Sequence, residues 1–409
     1  MKKLNYLAVL VLALILAGFT EPQSKKTKSG GPGPNDLSDI RGFNYTPANV
    51  VEPHHHIDTW VKYDKAVIEH DLDLARRLNL NQVRVFVPYQ VYLEDKEALP
   101  GKLRHFVRAC YERGIGVMPV VGSGGWVRDT TLRPQARDWA EFLVKAISGE
   151  PGLKFWDIMN EPDWPSTPKE RVLRNFENCK YLSRIFHELD PKTPVTIGMA
   201  FVDGMEQLAD YVDVLQFHDY MQTREQIRTN ITRAKQFAAK VGKPVINGEI
   251  GCVARANPYD ITLQEHMEAG IGWYIWELMI VRKGWGEVHG VFYEDGTVRD
   301  PSIAAAILGF FRKRGADILP AVPDKEGWVT RVVNNGNKWL EQPDASWKEG
   351  LNLAETAAHL LEAGELVPMR KPPTWEVDMM RQGQIDMPAL HALLQRYIET
   401  LKPYMRSNE

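Results

Sequence analysis

Cysteine is nearly missing, with 3 residues, Cys110, Cys179 and Cys252, in a chain of 409. So odd and sparse a set gives no disulfide framework. The three read as small buried hydrophobes, and stability has to come from a core, which a chain of this length can build. A large excess of charge is missing too. The 50 Lys and Arg against 53 Asp and Glu leave a formal net charge of -3, which argues against nucleic acid or an anionic membrane as the main partner. A neutral polymer fits better. The apolar run Leu7–Phe19 stops short of the ~20 residues that span a bilayer. No Gly-rich phosphate loop follows the first strand candidate, which counts against a doubly wound nucleotide-binding sheet.

The beginning of the chain has the order of an export signal. Lys2 and Lys3 precede the apolar run Leu7–Phe19, whose length falls within the roughly 7–15 residues of such a core. Phe19 stands where a bacterial lipoprotein signal would carry cysteine. Residues 1–20 are therefore expected to be a signal peptide, and residues 21–38, rich in Lys, Ser, Gly and Pro, a flexible linker. The expected location is exported, periplasmic or secreted, with no membrane attachment after cleavage.

From Arg41 to about Gly315 short apolar runs alternate with helical patterns. Strands are predicted at Gly42–Tyr45, Gln82–Pro88, Gly116–Val121, Lys154–Asn160, Pro194–Met199, Val214–Phe217, Pro244–Asn247 and Gly272–Trp276. The runs are continuous rather than alternating, as in parallel strands covered on both faces. Between them lie patterns such as Ile227, Ile231, Ala234, Phe237, Ala238 and Val241, with a spacing near 3.6. Eight such units predict an α/β fold, a (β/α)8 TIM barrel over residues 39–318. Beyond it the alternation stops. Leu351–Ala363 and Pro388–Leu401 read as amphipathic helices, so residues 319–409 are expected to form a small helical C-terminal extension.

In such a barrel the chemistry sits where the strands end. Those ends carry Asn44 and Tyr45, Arg84, Gly122–Trp126, Asn160 with Glu161, Met199, His218 with Tyr220, Glu249, and Trp276 with Glu277. Two glutamates, Glu161 and Glu249, close the fourth and seventh apolar runs. Strands four and seven stand about 14 Å apart across an eight-stranded mouth. Two inward glutamates then leave about 5 Å, the separation a retaining glycosidase uses. Strand alternation aims Glu277 away from Trp276.

Arg84 in Val83-Arg84-Val85-Phe86, the Asn160-Glu161-Pro162 motif, His218-Asp219-Tyr220, Glu249 in Asn247-Gly248-Glu249, and Trp276 together resemble the clan A glycoside hydrolases. The nearest group is the cellulase and mannanase type called family five. The resemblance runs across the whole barrel, in order. It implies that Glu161 is the general acid/base and Glu249 the nucleophile, with Tyr220 and Arg84 beside it. It further implies that Asn160 binds the sugar 2-hydroxyl and that Trp276 stacks under the sugar. His218, Asn44 and Trp126 complete the expected substrate-binding set. One departure stands out: many members of the group have a histidine near the end of strand three, and this chain has Val121-Gly122-Ser123-Gly124-Gly125-Trp126.

The expected activity is retaining hydrolysis of β-glycosidic bonds in neutral β-mannan-type or β-glucan-type saccharides, with no cofactor and no metal. Two alternatives remain open: an inactive carbohydrate-binding barrel, and a metal-dependent amidohydrolase-like enzyme suggested by His54-His55-His56. Against the second, strands five and eight end in Met199 and Trp276 rather than metal ligands. Sugar identity and oligomeric state are left unassigned.

Overall fold

The computed structural model describes residues 36–51, 54–122, 133–164, 167–252, 259–281, 288–311, 325–342, 346–363, 366, 372–382 and 385–405. The expected signal peptide, most of the expected linker, and Trp126 lie outside the described residues.

Eight strands form: β1 (Arg41–Tyr45), β2 (Gln82–Phe86), β3 (Gly116–Val120), β4 (Trp156–Asn160), β5 (Val195–Met199), β6 (Leu215–Asp219), β7 (Val245–Ile250) and β8 (Gly272–Ile275). They pair in parallel in chain order, and β8 pairs with β1 to close the barrel. The fold is a (β/α)8 barrel with a helical C-terminal part. The helix Arg224–Val241 shows how local sequence fixes the crossovers. Thr223 and Gln226 make a reciprocal capping box, Gly242 ends the helix at φ 67°, and Ile227, Ile231, Ala234 and Ala238 share the buried face. Between β5 and β6 there is room only for the single turn Met205–Leu208, flanked by 3-10 turns.

Inside the barrel the layers differ in polarity. Near the strand starts, Ile40, Met118, Phe155, Val214, Ile246 and Tyr274 form an apolar plug. Above it the interior is polar, with Asn44, Arg84, Asp157, Thr196 and Gln216 all buried. All three cysteines are buried as well.

Two strands depart from strict register where it matters. Along the β6–β7 pair, Phe217 is opposite Asn247 but His218 is opposite Glu249, so Gly248 is an extra residue. A β-carbon on Gly248 would lie 2.4 Å from the Gln216 amide nitrogen. Along β4–β5, Asp157 faces Thr196 while Asn160 faces Gly198, again one residue too many on the first strand. Such bulges re-aim side chains. They explain how Glu249 reaches the interior beside inward Gly248, and how Asn160 and Glu161 share one side.

The C-terminal part holds four described helices, Lys325–Leu340, Trp347–Ala363, Pro373–Gln382 and Met387–Leu401. Val333, Ala354, Ala358, Leu361, Leu394 and Ile398 lie in its own core cluster. The first and third helices were not expected. Asn334-Asn335-Gly336-Asn337 in the first are poor helix formers. Packing overrides that preference, because Gly336 lets Ile398 approach to 2.4 Å of where a β-carbon would sit.

Gly42 is held to one residue type by the plug. A β-carbon there would lie 2.2 Å from the Tyr274 ring. Gly42→Ala is expected to destabilise the protein by about 1–3 kcal/mol through overpacking, measured by urea unfolding against the parent chain.

Candidate active site

The site is built on a buried cation. Arg84 sits mid-strand in β2 with no exposed surface. Its Nε donates to Asp157 Oδ2 at 2.8 Å, and its Nη1 to Asn44 Oδ1 at 2.9 Å and Glu249 Oε1 at 2.6 Å. Nη2 donates to Asn160 Oδ1 at 2.7 Å. Asn44 lies opposite Arg84 in the β1–β2 register, and its Nδ2 donates to the carbonyls of Gly248 and Ile275. Neither Asn44 nor Arg84 lines the cavity above. Arg84 stands beside Glu249, as expected, and the hydrogen-bonding groups of both residues face the barrel interior, where they position the groups that do reach the cavity.

Glu161 follows β4 at φ 47°, in the left-handed region, and precedes Pro162. That backbone is disfavoured for a residue with a side chain. It is held by the Glu161 N–H donating to the Gly198 carbonyl at 2.7 Å. Glu161 Oε1 is 2.7 Å from His218 Nδ1, which is 3.5 Å from Glu249 Oε2. Tyr220 donates its hydroxyl to Glu249 Oε2 at 2.9 Å. One oxygen of Glu161, one of Glu249 and a His218 nitrogen all lie within 4.8 Å of one another.

Burial sets the protonation states. It pushes the Glu161 carboxyl up to about 8, opposed only by the charge of Arg84. Burial raises Glu249 as well, and Glu161 adds to the rise, while Arg84 and the Tyr220 hydroxyl oppose it. The His218 imidazole is lowered to about 4 by burial and is therefore neutral. Burial, then Glu249, raises Tyr220, which remains a donor. The arrangement sets a Glu161 that keeps its proton near neutral pH against a Glu249 whose charged form two donors, Arg84 and Tyr220, favour.

The pair opens into a cavity of about 400 Å3. Trp276, Phe86, His55 and His56 line one side of it, and Trp164, Phe201 and Met221 also line it. Asn160, His218 and Tyr220 line it too. Asn160 gives its carbonyl oxygen to Arg84, which leaves Nδ2 for the cavity. The buried Trp276 Nε1 has no partner among the described residues. A larger cavity of about 900 Å3 next to it shares Trp164 and Phe201 but contains neither Glu161 nor Glu249.

The three ligand-type atoms of Glu161, His218 and Glu249 are close enough to hold a cation. The donor set fits one poorly, because Arg84 and Tyr220 already occupy the two oxygens of Glu249. His56 stacks on Phe86, with ring centroids 4.1 Å apart, as an aromatic wall.

Sequence reading missed Asp157, which accepts from Arg84, from Gln216 Nε2 at 2.9 Å and from the Gly198 N–H at 3.2 Å. The signal was present, since a lone acid inside Phe155-Trp156-Asp157-Ile158 needs a buried partner and Arg84 in Val83-Arg84-Val85 needs one in turn. Phe86, His56, Phe201 and Met221 carried no comparable signal.

Solved structures share this barrel. A GH5_18 protein from Streptomyces cattleya in complex with GlcNAc superposes with a TM-score of 0.56 at 18% identity, over 66% of this chain and 78% of its own. An exo-β-1,4-mannosidase from Opitutaceae bacterium strain TAV5 gives 0.54 at 17% identity, over 77% of this chain and 75% of its own. A GH5_18 variant from Bifidobacterium longum subsp. longum in complex with Manβ1-4GlcNAc gives 0.54 at 17%, over 66% and 76%. At these identities the likeness is one of fold. No family model matches the chain, and no curated protein matches it.

The backbone at Glu161 yields a stability test. Elsewhere Ala is the more stabilising residue, by about 0.4–1 kcal/mol over Gly where both fit. At φ 47° the order should reverse. Glu161→Gly is expected to melt above Glu161→Ala, since both variants lose the same carboxyl and differ only in tolerance of a left-handed backbone. An unchanged order in calorimetry would contradict the strain.

Proposed function

We propose that the chain is an exported retaining β-glycoside hydrolase acting on neutral β-linked saccharides of mannan or glucan type. The observation that carries this reading is the spacing of two unlike carboxyls. Oxygens of Glu161 and Glu249 lie within 4.8 Å, in keeping with the about 5–5.5 Å of retaining enzymes and below the about 6.5–9.5 Å that leaves room for an inverting water. Aromatic rings beside the pair suit the C–H faces of a sugar. The fold neighbours bound to GlcNAc and Manβ1-4GlcNAc, and the neighbouring exo-β-1,4-mannosidase, add support for a β-mannoside. Export rests on Lys2, Lys3 and the run Leu7–Phe19.

In the first step a Glu249 carboxylate oxygen attacks the anomeric carbon, and the bond to the leaving oxygen breaks as Glu161 gives that oxygen its proton. Glu249 becomes an ester and loses its charge. The electrostatic opposition to ionising Glu161 falls with it, so Glu161 now takes a proton from water as the water attacks the same carbon. Glu249 leaves as carboxylate, and the product keeps the β configuration. Arg84 and Tyr220 donate to Glu249 when it is charged, before and after the ester. Asn160 offers Nδ2 toward the cavity, where a 2-hydroxyl contact strengthens in the transition state.

Glu249→Ala should lower kcat on an aryl β-glycoside by about a thousand-fold or more. Azide should restore turnover as the α-glycosyl azide, identified by NMR. Recovery as the β-azide would reverse the roles of the two glutamates. With Glu161 titrating at about 8, kcat/KM of the parent enzyme should fall as pH rises through about 8, because the acid form disappears. Glu161→Gln should abolish that limb on substrates whose leaving group departs without a proton.

A further inference from the structure

One wall of the catalytic cavity comes from outside the barrel. Pro372, Trp375, Met379 and Gln382 all line it. The spacing of four and three places Trp375, Met379 and Gln382 on one face of the helix Pro373–Gln382, which Pro372 immediately precedes. The opposite side of that helix carries buried Thr374 and Val377, and Val377 belongs to the core of the extension.

The helix is fastened to both bodies. Gln222, just beyond β6, donates to Thr374 Oγ1 at 2.7 Å in a buried contact. The Thr374 N–H donates to Glu362 Oε1 at 2.7 Å, and the Tyr397 hydroxyl to the Pro373 carbonyl at 2.8 Å. Trp375 meets Trp164 edge to face, with centroids 5.6 Å apart. Trp164 in turn donates its backbone N–H to the carbonyl of Glu161 at 3.1 Å.

The side on which this wall stands decides its use. Phe86, Trp276 and His56 belong to β2, the end of β8 and the helix after β1. Trp164, Phe201, Met221 and Gln222 follow β4, β5 and β6, across the ring. The general acid, Glu161, ends β4, so the leaving oxygen must lie toward β4–β6 while the sugar attacked by Glu249 lies toward β8–β2.

We propose that the helical extension forms the leaving-group subsite, and that Trp375, with Trp164, is the platform on which the departing sugar rests. This deepens the glycosidase reading and rests on it. The ligand is the pyranose on the reducing side of the scissile β bond, held by its C–H face on the indole, with the Gln382 amide placed at the same wall for its hydroxyls.

The test compares two substrates on one preparation of each enzyme. A β-1,4-linked disaccharide, mannobiose or cellobiose, fills the subsite, whereas the matching β-mannosyl or β-glucosyl fluoride has a one-atom leaving group that does not. Because both rates come from the same sample, the folded fraction cancels in their ratio. In Trp375→Ala the loss of kcat/KM on the disaccharide should exceed the loss on the fluoride by about ten-fold or more, and Trp375→Phe should recover most of the difference. Equal losses on the two substrates, or a larger loss on the fluoride, would overturn the subsite while leaving the glycosidase intact. Failure of the parent enzyme to cleave either substrate would overturn the glycosidase reading itself.

Discussion

Everything in the site depends on a guanidinium held out of water. A buried cation is costly unless both its charge and its donors are matched. Arg84 meets Asp157 and Glu249 with charge and Asn44 and Asn160 with carbonyl oxygens. Lysine could not replace it, because the contacts lie along a planar fork that an ammonium does not have. Counting charge over the cluster gives one cation against Asp157 and Glu249, already one negative charge in excess. A third carboxylate, Glu161, would add another within 4.8 Å of Glu249. Burial raises Glu161 against the charge of Arg84 alone, whereas Glu249 has Arg84 and Tyr220 bonded to it, so the two glutamates are unlike without any difference in residue type.

The same contacts explain the geometry. Asn160 is tied to Arg84 on one side of Glu161, and the Gly198 carbonyl holds the Glu161 N–H itself. A left-handed glutamate before proline persists because its neighbours over-determine it. On β7 the extra residue Gly248 lies against Gln216, and Gln216 donates to Asp157, which accepts from Arg84. One network therefore runs from the cation to both bulges that aim the glutamates.

This accounts for what could be read from the chain alone. The eight strands were legible because parallel strands buried on both faces leave continuous apolar runs, and Glu161 and Glu249 were legible because they interrupt such runs at their ends. The edges of β6 and β7 were placed too early, since His218, Asp219, Gly248 and Glu249 are polar or small residues inside strands. Strict alternation would even have turned Glu249 outward. The bulge that turns it inward follows from the Gln216 contact, a tertiary fact. The partners of Asn44 and Arg84 were not legible for a similar reason: a polar residue at a strand end shows its position in the sequence but not what it is bonded to. The helix at Trp375 was missed because Pro372, Pro373 and nearby polar residues hide its one apolar face.

The two halves of the cavity answer to different constraints. Below, Asn44, Asp157, Asn160 and Glu249 are all tied to Arg84, and altering one disturbs the others through it. Above, Trp375 and Met379 stand on a helix whose attachments, Thr374 to Gln222 and Glu362 and Pro373 to Tyr397, involve none of the catalytic groups. On the proposed reading, the chemistry is set by barrel strands and the fit of the leaving sugar by a segment that follows them in the chain. On the same reading, substitutions on the cavity face of that helix change which saccharide is accepted without altering the burial that raises Glu161. A change at Thr374 or Val377 would act differently, because those side chains hold the helix in place and would move the whole wall at once.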